Sequence, residues 1–409
     1  KIAPWKTAAD SVSRASMSDA ERNQYGWLVD SLMRDVVDTI SRGRKLAPET
    51  VTALIDRAPL TAAAAQAAGL VDAIAYEDEL PVLLGQTDAP ATLKEYRRAK
   101  RLLFRRVRPR HPRSVGVISL TGTIVTGASR QFPVPLPIAG ESTIGSTSAQ
   151  QVIRAARADD RLAAVVLHVD SGGGSALASD LIWRELVLLN QSKPLIVYMG
   201  NVAASGGYYL STPGRKIVAQ SATLTGSIGV ITAKAVLEDA YAKVDAHQEV
   251  VRRGANAGLY QSNEAWTDAQ RAMVEAEVRE IYHVFKERVA AGRGLDFDAL
   301  DGLANGRVWT GAQAQALGLV DELGDFETAL TLACIAADLP TDGSVRTIPV
   351  TADGETRLAA PAEVIQAMAG VTQWQQTGTL LRALATGDLQ EAFSRDHIWL
   401  LADGLPRIR

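Results

Sequence analysis

Two parts of this chain resemble each other at a fixed distance of 249 residues, and that regularity limits the fold more than any other feature. Ser18-Asp-Ala-Glu21 and Thr267-Asp-Ala-Gln270 are both capping-box patterns, in which the residues at the two ends satisfy each other's free backbone amides. Each opens an apolar stripe at helical spacing. The first stripe is Tyr25, Leu28, Val29, Leu32, Val36 and Ile40; the second is Val274, Val278, Ile281, Phe285 and Val289. The same shift carries Gly43-Arg44 onto Gly292-Arg293, and the run Thr61 to Asp72 onto the run Thr310 to Asp321, both runs ending Gly-Leu-Val-Asp. Three matches at one offset imply a tandem repeat. Residues 1 to about 93 then form the tail of a first copy, 94–113 a link, 114–338 a complete second copy, and 339–409 a C-terminal extension. The first copy lacks its front half, so the expectation is a piece of a longer protein whose other part includes a sheet and a membrane anchor.

The second copy shows what that front half contains. Apolar, β-branched runs predict strands at Val115–Leu120, Ala163–Val169, Leu195–Met199 and Lys216–Ala219, with helices near Ser148–Ala156 and Leu177–Leu189 between them. Alternation of this kind predicts an α/β fold with a mainly parallel sheet covered on its faces. Gly127 to Thr147, rich in Pro, Gly and Ser, reads as a long functional loop. In the extension, the pattern predicts an extended stretch at Val345–Val350, helices near Ala360–Gly370 and Gly378–Ala385, and an apolar segment His397–Leu401, none of them carrying chemistry.

Composition narrows the function. At 409 residues the chain exceeds one ordinary core, and 47% hydrophobic with 22% charged residues is ordinary for a globular protein. A formal net charge of −3 argues against nucleic acid as a general partner. The lone Cys334 sits in an apolar helical run and reads as core, so neither a disulfide nor a thiolate metal site forms within one chain. No apolar run reaches the roughly 18 residues of a membrane span. Lys94 to Arg113 is strongly basic, with only Glu95 opposing it. It reads as a solvated linker first and as a patch for anionic lipid head groups or nucleic acid second.

Chemistry concentrates in three small-residue turns. In Met199-Gly-Asn-Val-Ala-Ala-Ser205-Gly-Gly-Tyr-Tyr209, Ser205 stands between a strand and a helix start, with glycines that leave room for a reacting group. Alone, such a turn reads first as a helix entry made for close packing. Asp170-Ser-Gly-Gly-Gly-Ser175 follows the buried strand at its carboxyl end and suits an oxyanion hole better than a phosphate loop, since it has no lysine. Ser221 to Gly229 adds further small hydroxyl residues. A serine nucleophile needs a base, and none of His111, His168, His247, His283 or His397 has a clear claim. His168 lies inside a strand and reads as a packed core histidine. The alternative is a lysine kept neutral by burial, which composition alone does not identify.

Four motifs in order, Asp-Ser-Gly-Gly-Gly-Ser, the Ser205 turn, Thr-Leu-Thr-Gly-Ser-Ile-Gly, and Val-Trp-Thr-Gly with Gly-Leu-Val-Asp after six residues, resemble the signal peptide peptidase A family, also called protease IV. The resemblance covers most of residues 1–335. It implies a fold similar to the Clp protease and crotonase superfamily, with repeated β-β-α units and a truncated first copy, and it implies a Ser-Lys serine peptidase. By motif, Ser205 becomes the nucleophile. Lys6, in Pro-Trp-Lys-Thr, resembles the family's Tyr-Lys-Ser-Ala segment and becomes the general base. Gly173 and the Gly206 amide become the oxyanion hole, and Ser227 orients the lysine. The 249 shift sets Ala255 opposite Lys6, and Gly254 to Glu264 holds no lysine, so the second copy offers no base of its own. The family usually has Ser-Pro-Gly-Gly where this chain has Ser171-Gly172-Gly173-Gly174.

The resemblance further implies cleaved signal peptides and other hydrophobic or unfolded peptides as substrates. It implies a homo-oligomer, a tetramer by family, at the bacterial cytoplasmic membrane with the catalytic domain on the extracytoplasmic side. It implies no metal and no cofactor. A crotonase-like acyl-CoA enzyme and an inactive scaffold of the same fold stay open as alternatives.

Overall fold

The computed structural model describes residues 4–7, 16–96, 99, 111–136, 140–234, 236–238, 243, 252–262, 264–351, 357–358 and 399–401. The chain divides into two compact units, Lys1–Val29 with His111–Arg409, and Asp30–Arg110. Helix α1, Asp19–Arg44, begins in the first and continues into the second. Its start follows the predicted pattern, with the Glu21 amide donating to Ser18 Oγ at 3.2 Å. The buried side differs from the predicted stripe, because Leu28 and Val37 are buried whereas Val29 and Val36 face outward.

The smaller unit continues with α2, Pro48–Asp56, and α3, Ala62–Ala67, capped by the Thr61 hydroxyl, and then α4, Leu80–Leu84. Val37, Val51 and Leu54 are its buried apolar residues among those described. Arg44 donates to the Gly69 carbonyl at 2.8 Å and grips Asp72 with two nitrogens, at 2.9 and 3.1 Å.

In the larger unit, strands β1 (Ser114–Thr121), β5 (Leu162–Ser171) and β7 (Leu195–Ala204) lie parallel at the centre of an eight-stranded sheet. Their side chains alternate between faces as pleating requires. Val165, Leu167 and Val169 of β5 meet one core with helices α5 (Ser146–Ala158) and α6 (Ala176–Ser192), while Ala164 and Val166 meet another with Ala329, Ala333 and Cys334. A sheet buried on both faces explains why β5 reads as a continuous apolar run. Cys334 is buried and free, as expected of a core residue.

Strand β7 forks the sheet. Its first half, Ile196 to Tyr198, pairs in parallel with β8 (Lys216–Ala219), and its second half, Val202 to Ala204, pairs in parallel with β9 (Leu224–Gly226). The sequence placed the end of this strand at Met199; small residues carry it five positions further. Between them, Ser205 leads into the short helix α7, Gly206–Ser211. Helix α8, Asp268–Arg293, packs Val274, Val278, Phe285 and Val289 on the first core, and the full Thr267–Gln270 capping box is present. Strand β10, Val308–Thr310, pairs antiparallel with β9, followed by α9 (Gly311–Ala316), β11 (Glu322–Leu323) beside β8, and α10 (Phe326–Ala336).

A second sheet corrects one expectation. The stretch read as a long loop forms β3, Arg130–Leu136, and β4, Gly140–Gly145, paired antiparallel. Pro133 and Pro135 disguised the strand, since proline cannot donate to a ladder. β4 also pairs with β2 (Thr123–Val125), and β2 with β6 (Gly173–Ser175). From the extension, β12, Arg346–Pro349, joins the first sheet beside β1, and two further strands, β13 (Arg357–Leu358) and β14 (Trp399–Leu401), join the second. The helices expected near 360–370 and 378–385, and most of the basic link, lie outside the described residues.

Helices α1 and α8 start and end at the same offset, 268 − 19 and 293 − 44 both giving 249, and α3 and α9 coincide at that offset too.

Candidate active site

Ser205 is fully buried at the end of β7, and its backbone is unusual: φ is +55° and ψ −115°. A non-glycine residue in such a conformation is strained and persists only where neighbours fix it. Here the Ser205 amide donates to the Gly226 carbonyl at 2.8 Å, and the Ser205 carbonyl accepts from the Tyr209 amide at 2.9 Å. The turn thereby lifts the hydroxyl off the sheet's carboxyl end, where parallel strands place their sites.

The glycines around it answer to packing. A Cβ on Gly206 would stand 2.8 Å from Ser179 Oγ and 3.1 Å from the Gly173 Cα, and one on Gly207 would stand 2.4 Å from the Ser171 carbonyl oxygen. Only bare backbone lets β6 lie against α7, so Gly173 and Gly206 are brought together. As the first residue of α7, Gly206 has no acceptor within its helix for its N–H. The Gly173 amide donates to Ser171 Oγ at 3.1 Å, and Ser171 Oγ donates to the Gly122 carbonyl at 2.6 Å. Ser171 therefore fixes the bend between β5 and β6 that the replacement of proline by Gly172 leaves free, a role the sequence did not suggest.

The structure brings Lys6 to Ser205 across 199 residues of sequence. Nζ lies 2.6 Å from Ser205 Oγ, 2.9 Å from Ser227 Oγ and 2.9 Å from the Ser227 carbonyl oxygen, and the lysine is 2% exposed. In that seat N–H groups can serve the Ser227 carbonyl, which only accepts, and the Ser227 hydroxyl, and a lone pair facing the Ser205 O–H is what proton abstraction would need.

Ser227 sits at φ +51°, its amide donating to the Arg307 carbonyl at 2.6 Å, so it too is pinned between β9 and β10. The position that the 249 shift sets against Lys6, Ala255, is exposed.

The described histidines lie elsewhere. His168 Nδ1 lies 2.8 Å from Ser119 Oγ and its ring stacks on Tyr198 at 5.7 Å; burial pushes the imidazole down, with Asp170 opposing in part. His283 pairs with Glu287 at 3.4 Å on the surface of α8, and His111 Nδ1 is engaged by Arg113. His247 and His397 lie outside the described residues. Burial pushes the Tyr208 and Tyr209 phenols up, so these neighbours of Ser205 stay protonated. Among the described residues, no group of three or more His, Cys, Asp or Glu side chains could hold a metal ion.

Comparison with known proteins shows the family. The model of peptidase family S49 matches residues 2–87 and 188–339. The chain is 31% identical over 360 residues to the chloroplastic serine protease SPPA of Arabidopsis thaliana, covering 86% of this chain and 52% of that protein. It is 32% identical over 352 residues to protease 4 of Salmonella typhi, covering 83% and 55%. A putative protease of Synechocystis sp. is 33% identical over 201 residues, covering 49% of this chain and 73% of that protein. The chain thus spans about half the length of the first two relatives.

Proposed function

This chain belongs to peptidase family S49, and from that premise we propose that it is a serine endopeptidase in which Ser205 is the nucleophile and Lys6 the general base. The observation that carries the reading is the 2.6 Å contact between a buried lysine amine and the hydroxyl of a strained turn. Such reach is what proton transfer requires. In the reaction, Lys6 Nζ takes the Ser205 proton as Oγ bonds to the scissile carbonyl carbon. The oxyanion that forms is met by the Gly206 amide and by the Gly173 amide, which exchanges Ser171 Oγ for it. The Lys6 ammonium then protonates the leaving amine as the C–N bond breaks, leaving an acyl-Ser205 ester. Water attacks the ester, giving its proton to Lys6, and the proton returns to Ser205 as the acid departs. Ser227 holds the amine in place through both half-reactions.

The substrates in this reading are extended hydrophobic peptides, including cleaved signal peptides. Support comes from β6, whose edge pairs antiparallel with the chain's own β14, Trp399 against Ser175 and Leu401 against Gly173, and so accepts an extended backbone. A substrate strand that took the place of β14 would run beside the proposed oxyanion hole. Action at the bacterial cytoplasmic membrane, on its extracytoplasmic side, and assembly as a tetramer rest on family resemblance. Among the described residues no helix is long and apolar enough to cross a membrane. Tandem copies that share one site, with the base from the first and the nucleophile from the second, complete the proposal.

A fluorophosphonate probe tests the core of it. Wild type should be labelled on Ser205, and labelling should vanish in Ser205→Ala and fall steeply in Lys6→Ala. Turnover of a hydrophobic peptide that survives Lys6→Ala but is lost in His168→Ala would replace the lysine with a histidine mechanism.

A further inference from the structure

Lys6 lies in a short irregular segment, outside any helix or strand. Something must hold its backbone if Nζ is to stay within 2.6 Å of Ser205. The residue before it does so through aromatic contacts. Trp5 packs on Trp27 of α1 with ring centroids 4.9 Å apart, and Trp27 stacks on Trp309 of β10 at 5.4 Å and an interplanar angle of 20°. The Arg307 guanidinium sits 5.0 Å from the Trp5 ring centre. Such contacts add specific geometry to ordinary burial.

Each ring is tied down by its polar atom or its neighbours. Trp27 Nε1 donates to the Val308 carbonyl at 2.8 Å and Trp309 Nε1 to the Leu303 carbonyl at 3.0 Å, while Gln24 Oε1 accepts from the Val308 amide at 3.0 Å. The far end of the stack, β10, is hydrogen-bonded to β9, whose Gly226 carbonyl fixes the Ser205 amide. Arg307, which faces Trp5, accepts the Ser227 amide on its carbonyl. Gly306 completes the seat: a Cβ there would come within 2.6 Å of the Lys6 backbone nitrogen.

We propose that Trp5, Trp27 and Trp309, with Arg307, form the device that positions the general base against the nucleophile, and that Trp5 is its principal positioning residue. One strand pair, β9 and β10, then sets both reacting groups, Ser205 directly and Lys6 through the indole stack. The inference rests on the Ser205–Lys6 reading above and predicts a defect in the chemical step rather than in substrate capture.

The test is steady-state hydrolysis of a hydrophobic peptide by Trp5→Ala, Trp5→Phe and Lys6→Ala, with thermal midpoints as a check on folding. Misplacing a catalytic group by about 1 Å costs on the order of 100-fold. Trp5→Ala should therefore lose about 10- to 100-fold in kcat with KM within about twofold and an unchanged midpoint, and Trp5→Phe should recover most of the loss. A Trp5→Ala enzyme with wild-type kcat, or one whose defect lies only in KM, overturns the positioning role. If the Trp5→Ala midpoint drops, Trp309→Phe, which keeps a stacking ring while removing the indole N–H, serves as the second variant; a kcat loss equal to that of Lys6→Ala would then refute Trp5 as the principal contact. The two readings fail separately. Full activity in Lys6→Ala removes the base itself, whereas an inactive Lys6→Ala beside a fully active Trp5→Ala removes only the indole stack.

Discussion

Arg44 grips Asp72 with two nitrogens, and Arg293, 249 residues further on, reaches Asp321 with one, at 2.7 Å. One neighbouring contact is shared. Each arginine also donates to a glycine carbonyl, Gly69 or Gly318, and both glycines have positive φ, 75° and 74°. The environments differ. Asp72 is 87% exposed, whereas Asp321 is 17% exposed and additionally accepts from the Ile217 amide of β8 at 2.8 Å and from Lys216 at 3.1 Å. Leu319 and Val320 are buried, while their counterparts Leu70 and Val71 are not. The same local sequence therefore works as a sheet clamp in one place and as a surface contact in the other. The proposed chemistry divides in the opposite sense: the first segment carries buried Lys6, and the second carries exposed Ala255 at the matching position.

The largest expected effect tests that division. Lys6→Ala should lower kcat/KM about 1,000-fold, within the usual range for losing a general base, and adding Ala255→Lys should restore nothing. Recovery in the double variant, measured by peptide hydrolysis, would mean that the two segments are interchangeable as base donors, and the proposed asymmetry would fail.

A smaller effect separates the ion pairs. Asp321→Asn leaves Arg293 buried with a weakened partner and should cost about 3 kcal/mol in chemical denaturation, as broken buried pairs do. Asp72→Asn should leave the midpoint unchanged, because an exposed pair is screened by water and salt. The pH dependence follows the same line. Burial pushes the Asp321 carboxyl up, but the Ile217 amide, Arg293 and Lys216 together pull it below its usual range. A carboxyl that is more acidic folded than unfolded stabilises above its unfolded pKa, and that contribution is lost as pH falls through the folded value. Wild type should therefore lose stability below about pH 4 more steeply than Asp321→Asn. Parallel acid profiles would show that Asp321 is not a clamp.

These contrasts also mark where sequence reading succeeds. Strands β5 and β8 are legible because two-sided burial demands apolar, β-branched runs. The hairpin of β3 and β4 was hidden by its prolines, and the end of β7 by Gly200 and Ala203–Ala204, residues with weak strand preference whose pairing is imposed by β9. Ser205 stood out by its local turn. Lys6 did not, because nothing within a few residues of it signals burial; its partners Ser205 and Ser227 are about 200 residues away, and only family resemblance pointed to it. Trp5, Trp27 and Trp309 were equally silent, since each is isolated in sequence and they become a unit only when α1 and β10 meet.

The smallest expected difference concerns the helix caps. Thr61 Oγ1 accepts from the Ala64 amide at 3.2 Å, and Thr310 Oγ1 accepts from the Gln313 amide at 3.3 Å; of the two caps, the second is also closed by the Thr310 amide donating to Gln313 Oε1 at 3.0 Å. Removing an N-cap hydroxyl typically costs about 1 kcal/mol. How much of that reaches global stability depends on what the helix is attached to. Helix α3 buries none of its residues, so fraying in Thr61→Ala stays local and the unfolding midpoint should not move. Helix α9 buries Gly311 and Ala314, and its Gly311 packs so closely that a Cβ would lie 1.9 Å from the Gln220 carbonyl oxygen. Fraying there must open the sheet edge, so Thr310→Ala should lower global stability by about 1 kcal/mol in urea denaturation. Equal midpoints for the two variants would show that the buried and exposed segments are energetically alike despite their different surroundings.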